Sequence, residues 1–449
     1  MTKDLTVGKP FSVLLRFCTP LFVSVIFQQM YNIADSLIAG RYIGENALAA
    51  VGNSYEITLI FLAVGVGCNI GCSVVAARLF GSKNYRSLHT AVTTSLISGA
   101  AICALMMSIG FLFNDSLLRL INTPSSVFAD SKNYLNIYIL CVPFIFNYNI
   151  ATGIFSALGD SKTPFWFLSI SSIANIAADI IFVKYFNLGV AGLALATLAC
   201  QAISCILSLA FLFKKIKSYK VKDKPLLFSK QILFEISKIA IPSIFQQSFI
   251  SIGNIILQGI INSFDTAVMA GYSAGVKLNN LVITSYTTIG NGISSYTAQN
   301  LGANKPKRIR EGFNSGVRLI LLLSIPIVLI YLLHSRQLVE FFIENPTKAA
   351  IDTGVVFLRI LSPFYFIISI KLISDGILRG MGQMKSFMVA TFSDLILRVA
   401  LAFILSKTFL GSNGIWAAWP IGWCIGTLMS VCFYNLAKQK ILNKRELMK

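Results

Sequence analysis

Long apolar runs separated by short polar stretches set the pattern of this chain. A window of about 19 residues finds such runs near 14–39, 53–77, 90–113, 133–157, 164–186 and 189–213. Six more follow near 236–262, 270–298, 313–333, 352–378, 387–409 and 413–436. A helix needs roughly 20 mostly apolar residues to cross a bilayer. The pattern therefore predicts an all-α polytopic membrane protein with twelve transmembrane helices. An even number of crossings puts both termini on one side.

Composition strengthens that reading. Of 449 residues, 55% are hydrophobic and only 12% charged, against about 25% charged in soluble domains; the mean hydropathy is +0.72. A soluble fold has nowhere to bury so much apolar surface. The nine cysteines are scattered through apolar runs with no CxxC pair and no metal-ligand spacing, which marks them as small buried hydrophobes.

A net charge of +20, from 38 Lys+Arg against 18 Asp+Glu, would suggest nucleic acid in a soluble protein. Here the basic residues gather in alternate loops, where they set orientation and add a weaker attraction to anionic membrane lipid. No nucleic-acid partner is expected. The stretch after the sixth run holds Lys214, Lys215, Lys217, Lys220, Lys222, Lys224 and Lys230 against Asp223 and Glu235, which assigns it to the cytoplasm. Arg78, Lys83 and Arg86 fall on the same side by parity, as do Lys305, Lys307, Arg308 and Arg310. So do Lys438, Lys440, Lys444 and Arg445, and the N-terminal Lys3 and Lys9. The expectation is a multi-pass protein of the cell membrane, with cytoplasmic termini and no cleavable leader.

That basic stretch lies mid-chain, and the sequences on either side resemble each other. Arg78-Leu79-Phe80-Gly81-Ser82-Lys83-Asn84 parallels Gln299-Asn300-Leu301-Gly302-Ala303-Asn304-Lys305. Pro143-Phe144 parallels Pro363-Phe364, Gly159-Asp160-Ser161-Lys162 parallels Gly382-Gln383-Met384-Lys385, and Pro20 parallels Pro242. Six helices per copy give both halves the same topology, a parallel repeat of the kind that encloses a cavity between two lobes. The expected organisation is an N-terminal lobe over 1–213, a basic cytoplasmic linker over 214–238 and a C-terminal lobe over 239–449.

Ionisable groups inside membrane helices are expensive and ask for a partner or a purpose. Asp35 is the only charge between Leu21 and Ala39, and Asp179 the only one between Phe165 and Val183, each four residues from the outer end of its window. At 1.5 Å per residue both lie roughly 6 Å below the outer boundary. Asn175 shares a helix face with Asp179, and Thr197, in the descending sixth helix, reaches about the depth of Asn175. Two carboxylates and two neutral oxygens suit a small hard cation such as Na+. They equally suit H+, because two close carboxylates in low dielectric share a proton rather than both ionise.

The second half differs. Leu257 and Gln258 stand near the position of Asp35, Asp394 matches Asn175, and Arg398 matches Asp179. Asp394 with Arg398, and Lys371 with Asp375, have the i,i+4 spacing of self-neutralising pairs. The coupling-ion site is therefore expected in the first half. A lone intramembrane Asp can also simply lock helix packing, and amides and hydroxyls often do so. The chain has no GxxxxGK[ST] or HExxH motif and only two histidines, His89 and His334. It is expected to need no cofactor and to draw energy from an ion gradient, not from enzymatic ATP hydrolysis.

Taken together, the two six-helix halves, the basic mid-chain loop, Pro20 with Gln28, Asn32, Asp35 and Gly40, and the Gly-Asp-Ser-Lys-Thr-Pro run at 159–164 resemble the MATE (multidrug and toxic compound extrusion) family over nearly the whole chain. The first-half cation motif is closer to the DinF-like branch. Ser156 stands where an Arg is common, and Gln246, Gln247 and Ser248 replace the acidic residue that NorM-like members carry in helix 7. The resemblance implies export of amphipathic, often cationic small molecules by antiport with Na+ or H+, the first-lobe cation site being Asp35, Asn175, Asp179 and Thr197. It also implies a pocket lining that includes Gln28, Asn32, Asn149 and Thr152, and a two-lobed chain able to work as a monomer. The alternative is a flippase for lipid-linked sugars of the same superfamily, for which Lys277, Lys371 and Arg398 are the candidate anion-binding groups. A non-transporting scaffold leaves two intramembrane acids at equal depth unexplained.

Overall fold

The computed structural model describes residues 4–121, 123–343 and 347–446, with side chains described except at Ser36, Glu45, Leu48, Glu56 and residues 441–446. Lys3 lies outside the described residues, as do the side chains of Lys444 and Arg445. No strand occurs among the described residues. The helices are α1 (Pro10–Ile38), α2 (Glu45–Gly81), α3 (Tyr85–Leu120), α4 (Ser125–Ala157), α5 (Lys162–Ile180), α6 (Gly189–Lys217), α7 (Lys230–Ile261) and α8 (Thr266–Gly302). They continue as α9 (Pro306–Leu333), α10 (Ser335–Phe342), α11 (Lys348–Leu361), α12 (Tyr365–Gly380), α13 (Met384–Ser406) and α14 (Ser412–Glu446).

Among the described residues, eleven helical segments are long and apolar enough to cross a membrane. The eighth expected crossing, α8, has 37 residues but is rich in Ser, Thr, Asn and Gly. Its interior position explains that composition, because residues 292–300 are all buried and small residues let helices pack closely in a membrane protein. A Cβ on Gly376 of α12 would lie 2.3 Å from the Gly290 carbonyl oxygen of α8, so the two backbones touch. The tenth expected crossing is broken into α11 and α12 by a 3₁₀ turn at Ser362–Phe364. Pro363 lacks an N–H and disfavours helix at the residue before it, whereas Pro143 stays inside α4.

The chain forms two compact units. The first comprises residues 1–4 and 19–247, the second residues 5–18 and 248–449. The opening helix of each half, α1 or α7, thus divides its residues between the units. In the first unit α4 is central, packing on α2, α3 and α6; in the second α8 packs on α11 and α12, and α14 on α12 and α13. The N-terminal segment is tied to the second unit: Leu5 N–H donates to Gln299 Oε1 at 3.1 Å, and Arg308 donates to the Gly8 and Leu5 carbonyls at 2.8 and 3.2 Å. Leu5 and Leu14 are fully buried.

The repeat extends to backbone detail. Lys83 and Asn304 take the same left-handed conformation, φ 57° and 55°, just beyond α2 and α8. Gly159 and Gly382 do so beyond α4 and α12, with φ 73° and 75°. There Asp160 N–H donates to the Phe155 carbonyl at 2.9 Å and Gln383 N–H to that of Leu378 at 2.8 Å. Such left-handed caps satisfy carbonyls that a helix end would leave unpaired.

Candidate functional site

In the first unit α1 and α5 end alike. Each passes from α-helix into a single π-helical turn, Ala39–Ile43 and Ile181–Tyr185, closed by Gly44 N–H on the Ala39 carbonyl at 3.0 Å and Phe186 N–H on that of Ile181 at 3.1 Å. The two π turns pack on each other. Such turns widen a helix locally and are frequent at functional sites. Asp35 and Asp179 stand one turn or less before them.

The two carboxyl groups lie within interaction distance of each other. Asp179 is fully buried and Asp35 half-buried. Neither Asp179 oxygen, nor Oδ1 of Asp35, nor either amide atom of buried Asn175 has a hydrogen-bond partner among the described residues. Thr197 is buried on α6, and Cys200, one turn further along, lies within electrostatic reach of both carboxylates. The four expected cation ligands thus come from α1, α5 and α6 of one unit. Buried polar atoms left unpaired are costly, and a small cation or a proton held between these oxygens relieves that cost.

Two tyrosines lie near the pair. Tyr31 and Tyr134 lie within electrostatic reach of both carboxylates; Tyr134 stacks on Tyr138 with centroids 6.4 Å apart and planes 18° apart. These rings had no signal in the sequence beyond the i,i+4 spacing of Tyr134 and Tyr138 on α4. Ile38, Ala39, Val183, Val190 and Leu193 pack with them into an apolar cluster over the site.

The other residues expected to line a pocket have the following surroundings. Gln28 is exposed, two turns before Asp35, and Asn32 is half-buried and donates to Gln29 Oε1 at 3.2 Å. Asn149 and Thr152 lie on α4 about 22 Å or more along the axis from Tyr134. Asn69 of α2 holds them, its amide donating to the Asn149 carbonyl at 2.7 Å and to Thr152 Oγ1 at 3.1 Å. They join α2 to α4.

Asp160 of the Gly-Asp-Ser-Lys-Thr-Pro run serves local structure. It accepts from Thr163 N–H at 3.1 Å and Thr163 Oγ1 at 2.8 Å, and it pairs with Lys215 of α6. Burial pushes its carboxyl up, but the Lys215 ammonium and the Thr163 donors outweigh burial and hold it below the usual carboxylate range. A depressed folded-state value contributes stability above the unfolded-state value of about 3.9, lost as pH falls through the folded value. Asp160→Asn should therefore lower the melting temperature between pH 5 and 7, and the gap from wild type should close below pH 4. A gap that persists unchanged at pH 3 would show the ionised carboxylate to be irrelevant.

The second unit pairs its charges differently from the expected i,i+4 scheme. Lys371 and Asp375 form the expected bond at 2.9 Å, and Ser430 donates to Asp375 at 2.6 Å. Asp394, however, pairs with Lys371 at 3.6 Å, not with Arg398. A Cβ on Gly426 would lie 2.8 Å from Lys371 Cε and 2.9 Å from Asp394 Cβ; this bare stretch of α14 makes room for the flexible ammonium to reach both acids. Arg398 lies over the Trp419 ring at 4.3 Å. At the position matching Asp35, Leu257 is fully buried and Gln258 donates to Asn262 at 2.7 Å.

Comparison with known proteins places these features in context. The MatE family model matches twice, over residues 20–181 and 242–404, once in each half and beginning at Pro20 and Pro242. The chain is 25% identical to the Bacillus subtilis (strain 168) protein named "Probable multidrug resistance protein YpnP", over 98% of both chains. It is 20% identical to a Shewanella oneidensis protein named "FAD transporter", over 95% of this chain and 94% of that one. Its fold matches a structure described as the outward-facing conformation of a multidrug resistance MATE family transporter, with TM-score 0.92 and 21% identity over 98% and 99% of the two chains.

Proposed function

The chain belongs to the MatE family of membrane transporters, which are not enzymes, and from that premise we propose that it exports amphipathic, often cationic, small molecules by antiport with Na+ or H+. The observation that carries this reading is the opposed pair Asp35 and Asp179, without another partner for either oxygen of the buried member. Asn175 and Thr197 complete the cation's oxygen ligands. A cation entering from outside binds between the carboxylates, draws α1 toward α5 and α6, and favours release of cargo; its loss to the cytoplasm lets the next cargo bind. Coupling of this kind requires the cation to bind the two conformations with different affinities. The orientation with both termini in the cytoplasm, residence in the cell membrane and function as a monomer belong to the same reading. So do cargo and lipid as its partners, no nucleic acid, and no cofactor beyond the transported ion.

The flippase alternative needs free cationic groups for an anionic lipid. Lys371 is occupied by Asp375 and Asp394; what favours antiport is the pair of acids in the first unit, Asp35 and Asp179, for which a carrier of anionic lipid has no use. The test is efflux of a fluorescent cationic dye from proteoliposomes, with Na+ and H+ gradients imposed separately. Movement driven by one gradient and not the other identifies the ion; no movement under either, with transfer of a labelled lipid instead, would overturn the reading.

A further inference from the structure

The charges buried in the second unit do not balance. Lys371, Arg379 and Arg398 are buried against Asp375 and Asp394, leaving one positive charge in excess among the described residues. Lys371 spans both carboxylates at 2.9 and 3.6 Å. Arg379 couples electrostatically to Asp375 and lies 5.2 Å over the Phe387 ring. Arg398 couples in the same way to Asp394, but it has two nitrogens without a hydrogen-bond partner where Arg379 has one. The Arg398 side chain is more than nine-tenths buried, and Nε and Nη2 have no hydrogen-bond partner, although Asp394 is one turn away on the same helix. A cation–π contact with Trp419 at 4.3 Å steadies one face of the guanidinium and leaves the in-plane donors on Nε and Nη2 unused. Facing Nη2 is Gly253 of α7, where an added Cβ would lie 3.9 Å away, so the helix there offers bare backbone instead of a side chain.

We propose that Arg398 is the recognition point for an anionic group, a carboxylate or phosphate, carried by the cargo. The planar fork Nε/Nη2 matches the two oxygens of such a group, and an anion seated there brings the buried charges of this unit to neutrality. The cargo is then an amphiphile with an acid function, read by its acid in the second unit while the cation is read in the first. The inference rests on the export reading only in taking the occupant to be cargo.

The test uses the full-length protein in lipid nanodiscs and two probes, a rhodamine dye with a free carboxylate and its ethyl ester, with binding followed by fluorescence anisotropy. Wild type should bind the acid about tenfold more tightly than the ester or better, the size expected for hydrogen bonds to a charged group. Arg398→Met should bring the ratio near one by weakening the acid alone, and Arg398→Lys should keep part of it. Equal binding of acid and ester by wild type would overturn the proposal without any variant, as would a preference that survives in folded Arg398→Met. Gradient-driven efflux of the ester tests export separately: an ester that is pumped, with no acid preference, sinks the anion site alone. An acid preference without gradient-driven movement of either dye sinks the antiport reading and leaves the anion site standing.

Discussion

Asp179→Asn is expected to reduce gradient-driven efflux to the rate of empty vesicles while leaving the protein folded. The amide keeps the size and most contacts of the carboxyl but can neither ionise nor hold a proton between itself and Asp35. Asp35→Asn should do the same, and the double variant should be no slower than either single one, because two groups acting as a unit lose their function together and not additively. Stability should move the other way or stay put. Both Asp179 oxygens are buried without a donor, and replacing one of two crowded acids removes an unfavourable ionised group. The paired measurement is efflux under the driving gradient and thermal unfolding in detergent. Wild-type efflux in either single variant would sink the site; loss of efflux with a collapsed melting temperature would instead assign the pair to packing.

The second large effect is on stability. Lys371→Met keeps the length of the stem but strips Asp375 and Asp394 of their shared counter-ion. Breaking a buried pair from one side typically costs about 3–5 kcal/mol, since the remaining charge has nowhere to go. Here one lysine serves two acids, which puts the expectation at the upper end of that range. Adding Asp394→Asn to Lys371→Met, which returns the buried groups to the wild-type excess of one positive charge, should recover part of the loss. If Lys371→Met unfolds at the wild-type temperature, the ammonium does not hold this network.

The large-scale architecture was written in the chain because the bilayer imposes it. Apolar runs of sufficient length must be helices, and matched turns such as Gly159 and Gly382 carry the repeat wherever the backbone needs a left-handed residue. The depth of Asp35 and Asp179 was legible because each is the only charge in its window, and the structure brings them together. What was not legible is what depends on neighbours from distant elements. Nothing in the spacing of Asn149 and Thr152 reveals that Asn69 claims them, nor that Lys371 reaches past its own helix to Asp394. An i,i+4 match states that two side chains share a helix face; it does not say which partner from another helix competes. The nearness of Tyr31 and Tyr134 to the acids was hidden for the same reason, since the two tyrosines lie about a hundred residues apart and meet only through tertiary packing. The break at Ser362–Phe364, against the unbroken passage through Pro143, shows that a repeated proline can keep its position and change its effect.

The anchoring of residues 5–8 on Gln299 and Arg308 bears on how the protein is made. Leu5 leaves the ribosome well before the groups that bind it, which are some 290 to 300 positions further along the sequence. At roughly 5–20 residues per second, the leading segment waits on the order of 15 to 60 s before its docking surface has been synthesised. During that interval buried Leu5 and Leu14 have no final home. Packing of residues 5–18 is therefore postponed until α8 and α9 have entered the membrane, so completion of the second unit is what closes the first part of α1.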